Sequence, residues 1–301
     1  MLIADVTKQF VIQNAIDAIS LGSLFALFAL GIALIFGIMQ LINFAHGELI
    51  MVGGYTLVLL SGIPLAALAV VVVSIVVVFA LALDRIAFRP VRGSRPSTLL
   101  VTSFAVSFLL QNLAILILGA TPESTNVSTT LTEFFTVGDI LISKLNVIIV
   151  GVTLALLGGL GLLLRKTRVG VEMRAAAENF QMARVLGVNA DRVIALAFAL
   201  SGLLAAAAAI LLVAQTGTVT AQMGVTPVLF AFIATILGGL GSLTGAALGG
   251  FVLGGLTVGL QAGLPLDLRP FRDAFVFAAV FVILVVRPQG LIVTRAARAR
   301  V

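Results

Sequence analysis

Cysteine and tryptophan are absent from this 301-residue chain, histidine and tyrosine occur once each (His46, Tyr55), and charged residues make up only 10%. Without cysteine there is no disulfide, no thiolate metal site and no Cys nucleophile. One His without Cys leaves no tetrahedral zinc site of the usual kinds. The 18 basic and 12 acidic side chains are too few to cover a compact soluble body of this length, where about a quarter of residues are charged. What is abundant is apolar: 61% of residues are hydrophobic and the mean hydropathy is +1.25. The solvent of such a chain is lipid, and the reading is an all-α, polytopic helical membrane protein with eight or nine membrane helices. Long continuous apolar runs, without ten-residue alternation, exclude an outer-membrane strand barrel. The first ten residues are mixed rather than basic and no small-residue cleavage site follows, so no cleaved leader is expected.

Hydropathy predicts spans over 16–39, 48–60, 64–84, 98–118, 141–164, 191–215, 227–241, 244–261 and 273–287, together forming one transmembrane domain over 1–301. The run 48–60 is short for an upright span and follows a polar break, Asn43-Phe44-Ala45-His46-Gly47. The runs 227–241 and 244–261 are parted only by a Gly-Ser turn. Short or broken helices at membrane depth are tolerated where they pack on protein or line a cavity, and they often flank a substrate path.

Charge then orients the chain. Arg85, Arg89, Arg92 and Arg95 share one loop; Arg165, Lys166, Arg168, Arg174, Arg184 and Arg192 share a second; Arg295, Arg298 and Arg300 lie in the tail. The loop 119–140 carries Glu123, Glu133 and Asp139 with no basic residue, and 216–226 carries no charge. By the positive-inside rule the basic regions are cytoplasmic, which alternates correctly if 48–60 crosses and the N-terminus lies outside. The net charge of +6 is thereby a matter of topology, with no nucleic-acid partner implied.

Three features could carry function. The segment 165–190 reads as a short amphipathic helix with Val171, Ala175, Ala176 and Phe180 near one face, ending at Gly187, with Asn189 or Asp191 capping the next helix. It is either a membrane-hugging connector or a docking element. The break Asn43–Glu48 is either a gating element of a substrate path or a structural one. In the second reading Asn43 caps the helix that follows, and His46 and Glu48 bond to each other or to backbone. On the expected topology this break lies near the cytoplasmic face. Gly241, Ser242 and Thr244 mark the other helix break, and Gly241, Gly245, Gly249, Gly250 and Gly254 supply small faces for close helix contact. Asp17, Gln111 and Asn112 are expected to hydrogen-bond between helices. Asn126-Val-Ser has the form of a glycosylation sequon.

Ile42-Asn-Phe-Ala-His-Gly-Glu-Leu, Arg89-Pro-Val-Arg-Gly-Ser, Arg168-Val-Gly with Arg174-Ala-Ala-Ala-Glu-Asn, the Leu-Gly-Gly-Leu-Gly-Ser-Leu-Thr-Gly-Ala run and Arg287-Pro-Gln-Gly-Leu occur in this order. Together they resemble the permease subunit of bacterial branched-chain amino acid ABC importers, the shorter of the two membrane subunits, from about residue 12 to 292. The resemblance implies translocation of leucine-, isoleucine- or valine-type amino acids across the inner membrane. It also implies a second homologous permease or a second copy, two ATPase subunits and a periplasmic or lipid-anchored binding protein. In such importers a short cytoplasmic helix sits in a groove of the ATPase, and Arg174, Ala176, Ala177, Glu178 and Gly187 match it here. Asn43, His46, Glu48, Gly241, Ser242 and Thr244 become candidates for the substrate path. No phosphate-binding loop is present and none of the three lysines follows a glycine. The chain is therefore expected to need no cofactor of its own and to be no enzyme, with ATP used by the partner. A permease for urea or short amides is the alternative. A secondary transporter is disfavoured because every acidic residue lies in a loop or at an expected span end, and a membrane enzyme lacks catalytic groups.

Overall fold

A computed structural model of the chain describes residues 2–125, 133–137 and 140–292. Asp139, the sequon at 126–128 and the tail arginines 295, 298 and 300 lie outside these residues. Its first helix, α1 (Leu2–Met39), is apolar all round over its second half. A helix of that kind belongs inside a bundle. Residues 24–30 and 32–35 are buried without exception, and α1 packs against five later helices. It ends at Gln40, which takes the left-handed conformation (φ 51°) where a glycine usually stands. The polar break follows, and then α2 (His46–Leu59).

The helix α3 (Leu65–Leu83) widens into a π turn (Asp84–Phe88) and then tightens into a 3-10 turn (Arg89–Val91), and α4 (Pro96–Leu118) starts on a proline. A short strand, β1 (Glu123–Ser124), and a hairpin of β2 (Phe134–Val137) with β3 (Ile140–Ser143) lead into α5 (Lys144–Lys166). Two small helices come next, α6 (Arg168–Glu178) and α7 (Phe180–Val185), then α8 (Ala190–Thr216) and β4 (Thr218–Val219). The chain finishes with α9 (Val225–Gly238), α10 (Leu243–Gly263) and α11 (Arg272–Val286). Each of the nine expected apolar segments falls on a helix. Six helices among the described residues are long and apolar enough to cross a membrane, and α2, α9 and α11 are shorter.

The bundle has two distinct ends. At one, Asp191 in the first turn of α8 accepts from Arg89 Nη2 (2.8 Å) and Arg92 Nη1 (2.6 Å), and Arg92 also pairs with the buried Asp84. The two basic loops thus meet on one face. At the other end of α8, about 40 Å away at 1.5 Å per residue, β1 pairs antiparallel with β4. The acidic and the uncharged loop meet there. This grouping is the one the charge pattern requires.

Small residues let the centre close. Gly22 and Ala26 of α1 lie directly on Gly254 and Gly250 of α10, and Gly238 of α9 lies on Gly245, with no room for a Cβ at any of these glycines. The glycine series from 245 to 254 is therefore packing within the chain. Gly241, by contrast, makes a turn (φ 84°) with nothing near its Cα hydrogens.

Candidate functional site

The polar break is not near the face of the bundle, as the topology had suggested, but deep inside it. His46 meets Ser201 and Glu48 meets Ser107, residues about halfway along α8 and α4. The physical reason is that α1 runs on past Gly31 to its end at Met39, Gln40 beyond it is exposed, and the chain then doubles back inward to set His46 against Gly31. Gln40 and the break 41–45 supply the turn, and α2 begins from that depth. Asn43 Oδ1 accepts from the Ala45 N–H (3.1 Å), which fixes the turn that opens α2. Phe44 stacks on Phe104 of α4 (centroids 4.0 Å apart) and leans toward Phe232 of α9 (6.0 Å). The segment 44–48 is thereby wedged between α4 and α9.

The connection from β4 into α9 descends to the same depth. Gly47 and Gly224 touch backbone to backbone, so the first turns of α2 and α9 abut. Neither helix has a side-chain cap at its start. Two helix N-termini, each a partial positive charge, therefore share one buried place, which favours an anion there. Glu48 sits in the first turn of α2.

Its surroundings are ordered. Glu48 Oε1 accepts from Ser107 Oγ (2.7 Å) and from Gln111 Nε2 (2.8 Å), and Gln111 Nε2 also reaches Ser107 Oγ (3.1 Å). Oε2 has no hydrogen-bond partner among the described residues, although Glu48 is 1% exposed. His46 is held otherwise. Ser201 Oγ has a single hydrogen to donate, and the Gly31 carbonyl (3.1 Å) can only accept it. The hydroxyl then accepts from His46 Nδ1–H (3.0 Å), which leaves Nε2 as a bare acceptor against Gly31. His46 and Glu48 are not partners of each other.

The remaining predicted positions lie elsewhere. Gly241, Ser242 and Thr244 form the α9–α10 turn, where Ser242 Oγ accepts from the Gly245 N–H (3.0 Å) and stands 3.2 Å from Thr244 Oγ1. Leu291 and Ile292 donate their N–H groups to the Leu237 and Gly238 carbonyls, closing that turn against the C-terminal segment. The structure does not bring these three residues to Asn43, His46 and Glu48. The segment 165–190 is two helices rather than one, divided at Asn179, whose Oδ1 accepts from Met182 N–H (2.9 Å) and starts α7. Its buried stripe is Gly170, Met173, Ala176 and Ala183, while Val171 faces out. Gly170 lies so close on the Leu163 and Leu164 carbonyls that the α5–α6 corner admits no side chain; of the expected face, Ala176 is buried, Ala175 and Phe180 are half-buried and Val171 is exposed. Arg174, Ala177, Glu178 and Gly187 are exposed and Ala176 is buried. Asn189 caps α8 as expected.

Of the other polar groups, Asp17 accepts from Asn146 (3.1 Å), and Gln111 reaches Glu48, but Asn112 bonds only within its own helix. Sequence reasoning missed Ser107 and Ser201. Ser103, Ser107 and Gln111 recur every fourth residue, a polar stripe on one face of α4 that could have shown Glu48's partner.

The family model described as "Branched-chain amino acid transport system / permease component" matches residues 14–286. The chain belongs to that family. It is 34% identical over 297 residues to the high-affinity branched-chain amino acid transport system permease protein BraD of Pseudomonas aeruginosa, covering 93% of this chain and 95% of the relative. It is 33% identical over 305 residues to the corresponding protein LivH of Escherichia coli, covering 95% and 97%. A shorter likeness, 43% over 106 residues and about a third of either chain, is to the autoinducer 2 import system permease protein LsrC of Klebsiella pneumoniae. No solved structure matches. As a permease component of this family the chain is a multi-pass membrane protein, and the buried polar break between α1 and α2 is its most unusual site.

Proposed function

We propose that this chain is the membrane-spanning subunit of an ATP-driven importer. It passes branched-chain amino acids across the cytoplasmic membrane, and a separate ATPase chain supplies the energy. The observation that carries this reading is the family match over nearly the whole length, with relatives named as high-affinity branched-chain amino acid transport permeases. The structure supports a translocation role through the break buried between α4 and α9, since polar groups at such depth are expensive unless they serve a path. The outer surface of α6 and α7 supports a docking role. Arg174, Ala177, Glu178 and Gly187 are exposed there beside Met182, Val185 and Leu186, an apolar and charged mixture suited to a protein groove. A second permease or a second copy, two ATPases and a substrate-binding protein complete the assembly.

The test is to express the chain with its own organism's neighbouring transport subunits in a host that lacks branched-chain amino acid uptake. ATP-dependent uptake of labelled leucine, isoleucine or valine is expected, with an ATPase copurifying in mild detergent. Uptake of urea or a short amide instead would replace the cargo. Leucine uptake driven by a pH gradient without ATP would replace the mechanism.

A further inference from the structure

We propose that Glu48 is the transient counter-charge for the ammonium group of the passing amino acid, its free Oε2 taking the place of one water of that group's hydration. This inference rests on the function proposed above and assigns a role within it. Glu48 is braced from one side only. Oε1 holds both donors that α4 offers, Ser107 Oγ and Gln111 Nε2, and those two groups also bond to each other, so the triangle is closed. Oε2 is left over in a site where Glu48 is 1% exposed.

Neither protonation state completes the site from within. An ionised carboxylate leaves a charge-bearing oxygen bare, and a protonated one leaves an O–H with no acceptor. The start of α2, in whose first turn Glu48 stands, offsets part of what burial costs the ionised form. No cationic side chain among the described residues pairs with it. What would complete the site is a mobile cationic donor, and the α-ammonium of an amino acid is one. The other end of the zwitterion finds its complement one helix away. The first turn of α9 touches that of α2 at Gly224 and Gly47, has no side-chain cap and leaves Gln222, Val225 and Thr226 exposed.

The experiment compares Glu48→Gln, Glu48→Asp and the double substitution Ser107→Ala/Gln111→Ala in the fully assembled importer, reading the membrane level of the chain, ATPase copurification and uptake of labelled leucine. Glu48→Gln keeps an oxygen for both α4 donors and removes only the charge. It is expected to lower uptake by at least tenfold with normal assembly. Glu48→Asp keeps the charge and should retain at least threefold more uptake than Glu48→Gln. The double substitution keeps the charge but strips the two partners of Oε1, and should lower uptake less than Glu48→Gln does. Near-normal uptake by Glu48→Gln, or a loss with the double substitution as deep as with Glu48→Gln, would make Glu48 a brace between α2 and α4 and overturn the assignment. Should Glu48→Gln fail to reach the membrane, the double substitution decides alone: a loss of tenfold or more overturns the assignment and a smaller one supports it. If the unaltered importer takes up no leucine, the proposed cargo has failed rather than the role of Glu48.

Discussion

At Gly31 the space a side chain would fill is taken by the imidazole of His46. Gly31→Ala must push that ring away from Ser201, and overpacking of this kind costs about 1–3 kcal/mol. Thermal unfolding in mild detergent is expected to show a lowered midpoint for Gly31→Ala. Gly37→Ala on the same helix, where nothing lies near, should be neutral or slightly stabilising. Equal effects at the two positions would mean that the His46 contact does not matter. The break itself was visible in the sequence, because Asn, His and Glu stand out between apolar runs. Its partners were not visible, since Ser201 and Ser107 lie 155 and 59 positions from the residues they bind. Depth was misjudged for the same reason. Hydropathy counts apolar residues along the chain and does not register that the segment 41–45 leads back inward from the end of α1. The argument against a proton-coupled carrier, that no carboxylate lies at mid-depth, therefore falls with Glu48; membership of the permease family now bears that weight.

At the scale of elements, α6 and α7 show how much adjacent positions on one helix can differ. The amphipathic segment and its end at Gly187 were legible, and so was the Asn189 cap. The tight α5–α6 corner was not, because nothing in the sequence says that Gly170 must lie on the Leu163 and Leu164 carbonyls. The consequence is a sharp contrast between neighbours, with Ala176 buried and Ala177 exposed. Ala177→Asp is expected to leave the chain in the membrane at normal level while abolishing ATPase copurification and uptake. Ala176→Asp buries an unpaired charge and should lower the amount of folded chain itself. Pull-down of the ATPase with each variant, normalised to chain level, checks this. Retained copurification by Ala177→Asp would reduce α6 to a connector.

The whole molecule is arranged by charge. Arg92 joins the end of α3 to the start of α8 through Asp84 and Asp191, while β1 and β4 join the far ends of α4 and α8. These two sets of contacts tie the basic loops together on one face and the acidic and uncharged loops on the other. The pairing of loops is thus a property of the fold, and the positive-inside rule has only to say which face is which. The absence of cysteine makes that directly measurable. Single cysteines at Ser94, in the loop that carries Arg92, and at Asn179, between α6 and α7, stand at exposed positions, as does one at Ser124 in β1. A membrane-impermeant thiol reagent added to intact cells is expected to label only the cysteine at Ser124, and the other two only after the membrane is opened. Labelling at Ser94 and Asn179 from outside, with Ser124 protected, would invert the chain. Labelling of Ser94 and Asn179 from different sides would be more damaging, because the Arg89–Asp191 and Arg92–Asp191 pairs hold those two loops to one face.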